Sequence, residues 1–343
     1  MKKIILGIAL LIVSYTNAQN ILIVDNNTNV DTTPAHMYNT FAAAIAAAAT
    51  GDIIYVQPSV TSYGNINISK EVTVYGIGHT PELNAGRATV FGLINISASN
   101  VKISGIVTSS YIQTVGVLSN LTIENSYVSQ NIRFNTGITN SSIQGNIIRT
   151  GIVLNGTTST NITITHNFFN SIGLNSLSGF NSSTIFNNNL VVFSGLGGQS
   201  FFISPNDLVV QNNIFVSTSS FNGTNWQNGG TPTIFNNCIS YSYAGTTLGL
   251  LNGTGNFDNT NPQFVSIPGT NPNFSIDNDY NIGSGSLGTD ANDVGLFNGA
   301  YDFDMRGYPT ILPYLEEMTI SNNVIQAGAS LNVNLKANAN KTN

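Results

Sequence analysis

Charged side chains are scarce in this 343-residue chain. Lys and Arg total 10 and Asp and Glu total 16, so charged residues make up 8% of the sequence, against about 25% in ordinary globular proteins. This scarcity excludes a coiled coil or a solvated helical bundle, because both depend on charged pairs along helix surfaces. The net charge is −6 and no basic cluster is present. A nucleic-acid partner is therefore excluded, since its phosphate backbone would repel the protein.

Cysteine and long apolar runs are also rare. Cys238 is the only cysteine, so the chain has no intrachain disulfide framework. One apolar run, Ile4–Val13, follows two lysines and precedes the small residue Ala18. Ten residues cannot cross a bilayer, which takes about twenty. The pattern is typical of a secretory signal peptide. We expect residues 1–18 to be removed by cleavage after Ala18, leaving a secreted or cell-surface protein without a transmembrane segment.

Asparagine and glycine are abundant where charge is missing. The chain contains 51 Asn and 33 Gly, and 41% of its residues are hydrophobic. This apolar content is enough for a core, so the composition does not indicate a disordered chain. It indicates instead an uncharged β protein with Asn, Ser, Thr and Gly on its surface and in its turns.

Short segments with the pattern apolar-x-apolar-x-x-Asn recur through the middle of the chain. Their central apolar residues are spaced by 20, 21, 21, 25 and 24 positions, at Ile123, Ile143, Ile164, Ile185, Val210 and Ile234. Such a unit is too short for the helix of a leucine-rich repeat and for a propeller blade of about 40 residues. We therefore predict an all-β fold in which coils of 20–25 residues stack as a parallel β-solenoid around one continuous core.

The Asn at the end of each segment predicts a second feature of the stack. Asn tolerates the left-handed conformation of a sharp turn, and stacked Asn side chains can hydrogen-bond along the axis. The alternative is that Asn serves only as a common turn former. Our interpretation is a structural asparagine ladder made of Asn146, Asn167, Asn188, Asn213 and Asn237.

The two ends of the repeat differ from its middle. Residues 40–50 contain an alanine-rich stretch that Thr40 can cap and that Gly51 ends, so we expect a short helix covering the first coil. We assign residues 19–307 to the solenoid. Residues 308–343 contain two alternating runs and are predicted to form a C-terminal β-hairpin, a cap or a tail.

These features resemble secreted right-handed parallel β-helix proteins of the pectin-lyase-like superfamily. The resemblance rests on the Ala-rich helix before Gly51–Pro58, on Tyr63–Gly78, on the Asn-ended repeats and on the closing segment Asn261–Val265. It covers roughly residues 21–300, and the tail beyond Gly307 resembles those of bacterial surface proteins. It implies a right-handed β-helix. It does not imply one activity, since this fold carries lyases, glycosidases, esterases and adhesins.

Titratable groups are nearly absent from the repeats. A glycosidase needs a pair of carboxylates, and a lyase needs a base together with acidic calcium ligands. Apart from the single cysteine and the tyrosines, the ionisable residues between 90 and 256 are Lys102, Glu124, Arg133, Arg149, His166 and Asp207. Their offsets from the central apolar residues place Glu124 and Asp207 on different faces, so we predict no catalytic residue here. His166 is expected to be a turn residue, and Cys238 is expected to pack in the core.

Two other groups of residues suggest ligand binding. Trp226 lies in a Gly/Asn-rich loop, where it could stack on a sugar ring or could instead cover the solenoid wall. Asp277, Asp279, Asp290 and Asp293 lie in a stretch rich in Asn and Gly and could bind calcium. Solvated turns are the alternative for this acidic stretch, and no other cofactor is expected.

Two classes of function stay open. The first is a secreted, monomeric, non-catalytic β-solenoid that binds a polysaccharide or a cell-surface glycan, which the missing catalytic groups favour. The alternative is a polysaccharide lyase or glycoside hydrolase whose catalytic residues come from loops.

Overall fold

The computed structural model describes residues 19–82, 86–154, 159–172, 177–194, 200–220, 225–283, 294–299, 301–320, 328 and 330–339. The predicted signal peptide, residues 1–18, lies outside these ranges.

The described residues form many short strands and one short helix, α1 (Phe41–Ala47). The first strands are β1 (Ile21–Val24), β2 (Met37–Tyr38), β3 (Asp52–Val56), β4 (Ile66–Ile68), β5 (Val72–Tyr75), β6 (Val90–Phe91), β7 (Ile94–Ile96), β8 (Lys102–Ser104), β9 (Val107–Thr108), β10 (Ile112–Thr114), β11 (Leu118–Ser119), β12 (Thr122–Glu124), β13 (Tyr127–Val128), β14 (Asn131–Phe134), β15 (Ile138–Gln144) and β16 (Ile147–Ile148). The remaining strands are β17 (Gly151–Leu154), β18 (Thr160–Thr165), β19 (Phe168–Ile172), β20 (Leu177–Ser178), β21 (Thr184–Asn187), β22 (Leu190–Phe193), β23 (Ser200–Ile203), β24 (Val209–Gln211), β25 (Ile214–Ser217), β26 (Asn225–Asn228), β27 (Ile234–Asn236), β28 (Ile239–Ser242), β29 (Gly253–Thr254), β30 (Phe264–Ser266), β31 (Asp279–Ile282), β32 (Pro313–Ile320) and β33 (Val333–Ala339).

Three parallel sheets form the walls of a solenoid. Sheet I has the order β2-β1-β3-β5-β8-β12-β15-β18-β21-β24-β27-β29, with β11 beside β15. Sheet II has the order β6-β9-β13-β16-β19-β22-β25-β28, and sheet III has the order β4-β7-β10-β14-β17-β20-β23-β26. A coil such as β8, β9 and β10 visits sheets I, II and III in turn, and the next coil repeats the path. This confirms the predicted all-β class and the stacked parallel coils.

Inward side chains of successive coils stack in register. Ile103, Ile123, Ile143 and Ile164 are consecutive partners in sheet I, and all four are buried. Towards the C-terminal end the inward residues become aromatic, with Phe169, Phe180, Phe186, Phe202, Phe215 and Phe235 forming ring contacts. The core is therefore continuous along the axis, which is what makes each short coil stable.

The predicted register is wrong at two coils. Ile164 pairs with Phe186 rather than with Ile185, and Val210 pairs with Phe235 rather than with Ile234. Phe186 is fully buried, whereas Ile185 is 49% exposed. A shift of one residue moves a strand side chain to the opposite face. In both coils the pattern Thr-Ile-Phe offers two adjacent apolar residues, so alternation alone did not distinguish them.

A column of buried amides lies between sheets I and II. It consists of Asn146, Asn167, Asn189 and Asn213, each fully buried. In each step, one Asn donates from its backbone N and its Nδ2 to Oδ1 of the next, over 2.9–3.1 Å. Each Nδ2 also donates to strand carbonyls; Asn167 reaches those of Ile143 and Thr165 at 2.9 and 3.0 Å. These amides satisfy backbone groups that would otherwise be buried without partners.

Cys238 takes the next place in this column. Its Sγ lies 3.4 Å from the carbonyl oxygen of Asn236 and 3.8 Å from that of Val210, where earlier coils place an amide Nδ2. Its backbone N donates to Asn256 Oδ1 at 3.0 Å. Burial raises the pKa of the thiol to about 12, so it remains a donor. Cys238 therefore replaces Asn in the ladder and does not serve only as a packing residue of the core.

Asn188 and Asn237 are not members of the buried column, so the predicted ladder is wrong at these two positions. Both have left-handed backbone conformations, with φ of +53° and +52°. They belong to a turn column immediately before the ladder, together with Asn125, Gly145, His166 and Asn212. Consecutive asparagines at 187–189 and 236–237 suit both the turn and the ladder, because Asn tolerates left-handed backbone better than most residues.

The short helix α1 covers the first coil. Thr40 caps it by accepting a hydrogen bond from Ala43 N at 3.2 Å on Oγ1. Its residues Phe41, Ala44 and Ile45 are buried. The helix ends at Ala47, because the backbone of Ala48 is extended. It closes the apolar end of the stack, as expected for the N-terminal cap.

The chain beyond the coils covers the outer face of sheet II. The coils end at β29, and described residues between 257 and 309 then lie against that face. Phe264, Tyr280, Val294, Leu296 and Phe303 form a second apolar cluster with outward residues of sheet II. Those outward residues are Ile147, Phe168, Leu190, Val192, Ile214, Val216 and Ile239. Strands β32 and β33 then pair as an antiparallel hairpin, as the alternating runs predicted.

Candidate functional site

Two of the three outer walls are available to a ligand. The apolar cluster described above covers sheet II, whereas sheets I and III point polar rows outward. The two open walls differ in charge, and this difference identifies the candidate site. No helix of the described residues is long and apolar enough to span a membrane.

The outer wall of sheet I carries a partly buried ion pair. Lys102 Nζ lies 2.7 Å from Glu124 Oε1, with 30% and 5% of the two side chains exposed. Gln144 Nε2 donates to Glu124 Oε2 at 3.3 Å. Lys102 precedes its central Ile by one residue and Glu124 follows its own by one, so both point outward on adjacent strands. The sequence analysis did not predict this pair, although the two offsets place both side chains on the outer face of neighbouring strands.

The ion pair influences nearby tyrosines. Burial, and then the charge of Glu124, raises the pKa of Tyr75 to about 12. The same two causes raise the pKa of Tyr301, whose hydroxyl donates to Asn125 Oδ1 at 2.8 Å. These tyrosines therefore remain protonated at neutral pH. Asp207 is exposed and belongs to the turn before β24, four coils from Glu124. The predicted separation of the two carboxylates agrees with this placement.

The outer wall of sheet III carries a row of amides that ends in an arginine. Asn67, Asn95, Gln113 and Arg133 are consecutive partners on β4, β7, β10 and β14. Asn95 Nδ2 donates to Asn67 Oδ1 at 2.7 Å, and Gln113 Nε2 donates to Asn95 Oδ1 at 2.8 Å. Each linked amide keeps at least one further donor hydrogen or acceptor lone pair. The row therefore presents aligned hydrogen-bonding groups along the solenoid axis.

Arg133 is held rigidly at the end of this row. Its Cζ lies 3.8 Å from the centre of the Tyr111 ring, a cation–π contact. Its Nη2 donates to Asn131 Oδ1 at 3.4 Å. Among the described residues, none of the ion pairs involves Arg133. The strands of sheet III contain no Asp or Glu. The guanidinium is thus half-buried, oriented by an aromatic ring and unneutralised.

Trp226 lies inside the solenoid, so the predicted loop site for a sugar is wrong. The residue is 7% exposed. Its ring contacts Phe193, Phe215 and Phe235, and its Nε1 donates to the carbonyl oxygen of Gly249 at 2.8 Å. The segment is rich in Gly and Asn, as loops are, but it contains a strand, β26, whose alternate residues face the core. The large ring packs among the aromatic residues at the C-terminal end of the stack.

The described part of the acidic stretch shows turn contacts. Asp279 Oδ1 accepts hydrogen bonds from the backbone N and Nδ2 of Asn281, at 2.9 and 2.7 Å. Asp277 N donates to Ser275 Oγ at 3.3 Å. Asp290 and Asp293 lie outside the described residues. Within the described residues, no cluster of three metal-ligating side chains occurs.

Comparisons with known proteins add one likeness. Neither the protein-family models nor the curated proteins give a match. Among solved structures, the crystal structure of pectate lyase Pel9A superposes with a TM-score of 0.44 at 16% identity. The match covers 79% of this chain and 89% of the other.

Proposed function

We propose that this protein is a secreted, monomeric β-solenoid that binds an anionic glycan on the outer wall of sheet III without cleaving it. The observation that carries the proposal is the row from Asn67 to Arg133. Its amides can bind sugar hydroxyls, and its unneutralised guanidinium can bind a carboxylate through two parallel hydrogen bonds. Export through residues 1–18 belongs to the same proposal.

The ionisable groups support binding rather than cleavage. General acid–base catalysis needs a titratable group at the reacting proton. The row on sheet III consists of three amides and the guanidinium of Arg133, and it contains no carboxylate, imidazole or amine. Glu124 and Lys102 lie on a different wall and neutralise each other. The described part of the coils therefore lacks a pair of carboxylates across one groove, which glycoside hydrolysis requires.

A change at Arg133 tests this proposal. We expect Arg133→Gln to weaken binding to a uronic-acid polymer about tenfold or more, because a hydrogen bond to a charged group is worth about 1.5–3 kcal/mol. Affinity electrophoresis or calorimetry measures the effect, and raised salt should reduce the wild-type affinity. Arg149→Gln is the matched control, since Arg149 is exposed near the same wall but outside the row. Its affinity should change less than twofold.

Two outcomes would contradict the proposal. The sheet III site would be refuted if the wild-type protein bound charged and neutral polymers equally well and Arg133→Gln bound them with the same affinity. New reducing or unsaturated ends that vanish in folded Lys102→Met or Glu124→Gln would show cleavage on sheet I. The protein would then be a polysaccharide lyase or hydrolase. The Lys102–Glu124 pair is the observation that favours this alternative.

Calcium binding by the acidic stretch is a separate proposal. If Asp277, Asp279, Asp290 and Asp293 hold calcium, chelation should lower the melting temperature, because a ligand that binds only the native state stabilises it. The measurement is a thermal melt in chelator and in millimolar calcium, with magnesium as the control. Identical melts in all three buffers would refute the site.

A further inference from the structure

Residues 294–299 and 301–309, here called the strap, run across the turn column of the solenoid. Gly295 N donates to the carbonyl oxygen of Asn212 at 2.9 Å. Asn188 Nδ2 donates to the carbonyl oxygens of Gly295 and Asn298, at 3.3 and 3.1 Å. At the other end, Arg306 O accepts hydrogen bonds from the backbone of His79 and Thr80. The strap thus closes the second apolar cluster over sheet II.

His166 lies beneath the middle of the strap. Its Nε2 lies 2.8 Å from the carbonyl oxygen of Asn298, so this nitrogen carries the proton and donates. Its Nδ1 is buried, and no hydrogen-bond partner is present for it among the described residues. The Tyr301 ring packs 5.5 Å away. A second proton on this imidazole would place an unpartnered N–H and a positive charge under the strap.

His79 lies beneath the far end of the strap. Its ring contacts those of Tyr127 and Phe274. Its Nδ1 lies 3.0 Å from Thr80 Oγ1, and its buried Nε2 has no hydrogen-bond partner among the described residues. Gly307 sits directly on the ring with φ of +69°, and a Cβ there would overlap the imidazole. The site is closed to water while the strap is in place.

We propose that the strap is an acid-sensitive clasp, which protonation of His79 and His166 releases to uncover the apolar outer face of sheet II while the coils stay folded. Beneath the strap both imidazoles are held in the neutral form. Their positive charge is accommodated in water but not beneath the strap, so acid favours the open arrangement.

Burial lowers the pKa of His79 to about 3 and also lowers that of His166. In the open arrangement both return towards about 6.5. The contribution of the two neutral histidines to the stability of the closed strap is therefore complete above pH 6.5. It is lost as the pH falls below that value. The opening constant should rise by up to about tenfold per pH unit for each histidine.

Other titratable groups near the strap act outside this window or in the opposite direction. Burial raises the pKa of Asp304, so its protonation favours the closed strap. The Arg306–Glu82 ion pair, 2.7 Å long, lies at the end of the strap and involves neither histidine. Burial, and then the charges of Glu124 and Asp304, raise the pKa of Tyr301, which therefore stays neutral below pH 7. The range from pH 6.5 to 5 therefore reports on the histidines.

Hydrogen exchange of the full chain at pH 7, 6 and 5 tests the clasp. After correction for intrinsic exchange rates, protection of 294–309 should fall steeply, whereas protection of 121–144 in the coils should hold. His166→Asn suits the left-handed position, since Asn occupies it on neighbouring coils. We expect this variant to reduce the slope by up to one logarithmic unit per pH unit.

His36→Asn is the matched control, because His36 is exposed and outside the strap. Its slope should equal that of wild type. A flat protection ratio from pH 7 to 5, or an unchanged slope in His166→Asn, would overturn the clasp. The comparison of His166→Asn with His36→Asn decides the question without any substitution at the fully enclosed His79.

Discussion

Replacing Asn189 by Leu is expected to destabilise the protein by about 3–5 kcal/mol. The Asn189 amide accepts hydrogen bonds from Asn167 N and Nδ2 and donates to Ile164 O and Asn213 Oδ1. Leu removes all four bonds and leaves the partners buried without a replacement, at about 1–3 kcal/mol for each group that cannot relax. The free energy of unfolding, from chemical denaturation followed by circular dichroism, measures the loss.

Asn187→Leu is the matched control for the ladder. Asn187 lies two residues earlier, at the end of β21, and is half-exposed on the outer wall of sheet I. A substitution there should change stability by no more than about 0.5 kcal/mol. Similar losses at 187 and 189 would mean that the buried column contributes nothing beyond turn formation.

Phe186→Ala is expected to cost about 3–5 kcal/mol, since it opens a large cavity in a core that cannot collapse fully. The ring is fully buried and contacts Phe169, Phe180 and Phe202. Two neighbouring coils therefore lose packing at once. The same denaturation measurement reports the effect.

The adjacent residue provides a direct test of the register. Ile185→Ala removes an apolar side chain of comparable character from the outer wall, where it is 49% exposed. The expected loss is about 0.5 kcal/mol or less. A larger loss at 185 than at 186 would restore the register in which Ile185 faces the core, and would contradict the structure.

The repeat was enough to predict the architecture. Apolar residues at 123, 143 and 164 recur every 20 or 21 positions, and a coil of that length can bury its apolar face only by stacking. The predicted central residues were wrong at 185 and 234, where either of two adjacent apolar residues could be the one that faces the core. Which of them faces inward depends on hydrogen-bond register with neighbouring coils, and that is a long-range property.

The candidate site was less accessible to sequence reasoning. Asn67, Asn95, Gln113 and Arg133 are separated by 28, 18 and 20 residues, and the first spacing departs from the repeat. Their alignment becomes visible only when β4 and β7 are paired. Trp226 illustrates the opposite error, since local composition suggested a loop whereas the strand pairing of β26 turns the ring inward.

The sequence by itself determined the solenoid, the capping helix and the scarcity of titratable groups in the repeats, because these follow from periodicity and composition. Tertiary structure alone decided which Asn enters the buried column, how Cys238 replaces one, and where Lys102 meets Glu124. It also decided that the strap seals His79 and His166, although residues 294–309 are more than one hundred positions from either histidine. The physical reason is that strand pairing and strap docking bring distant residues together, and local sequence does not encode which partner each will meet.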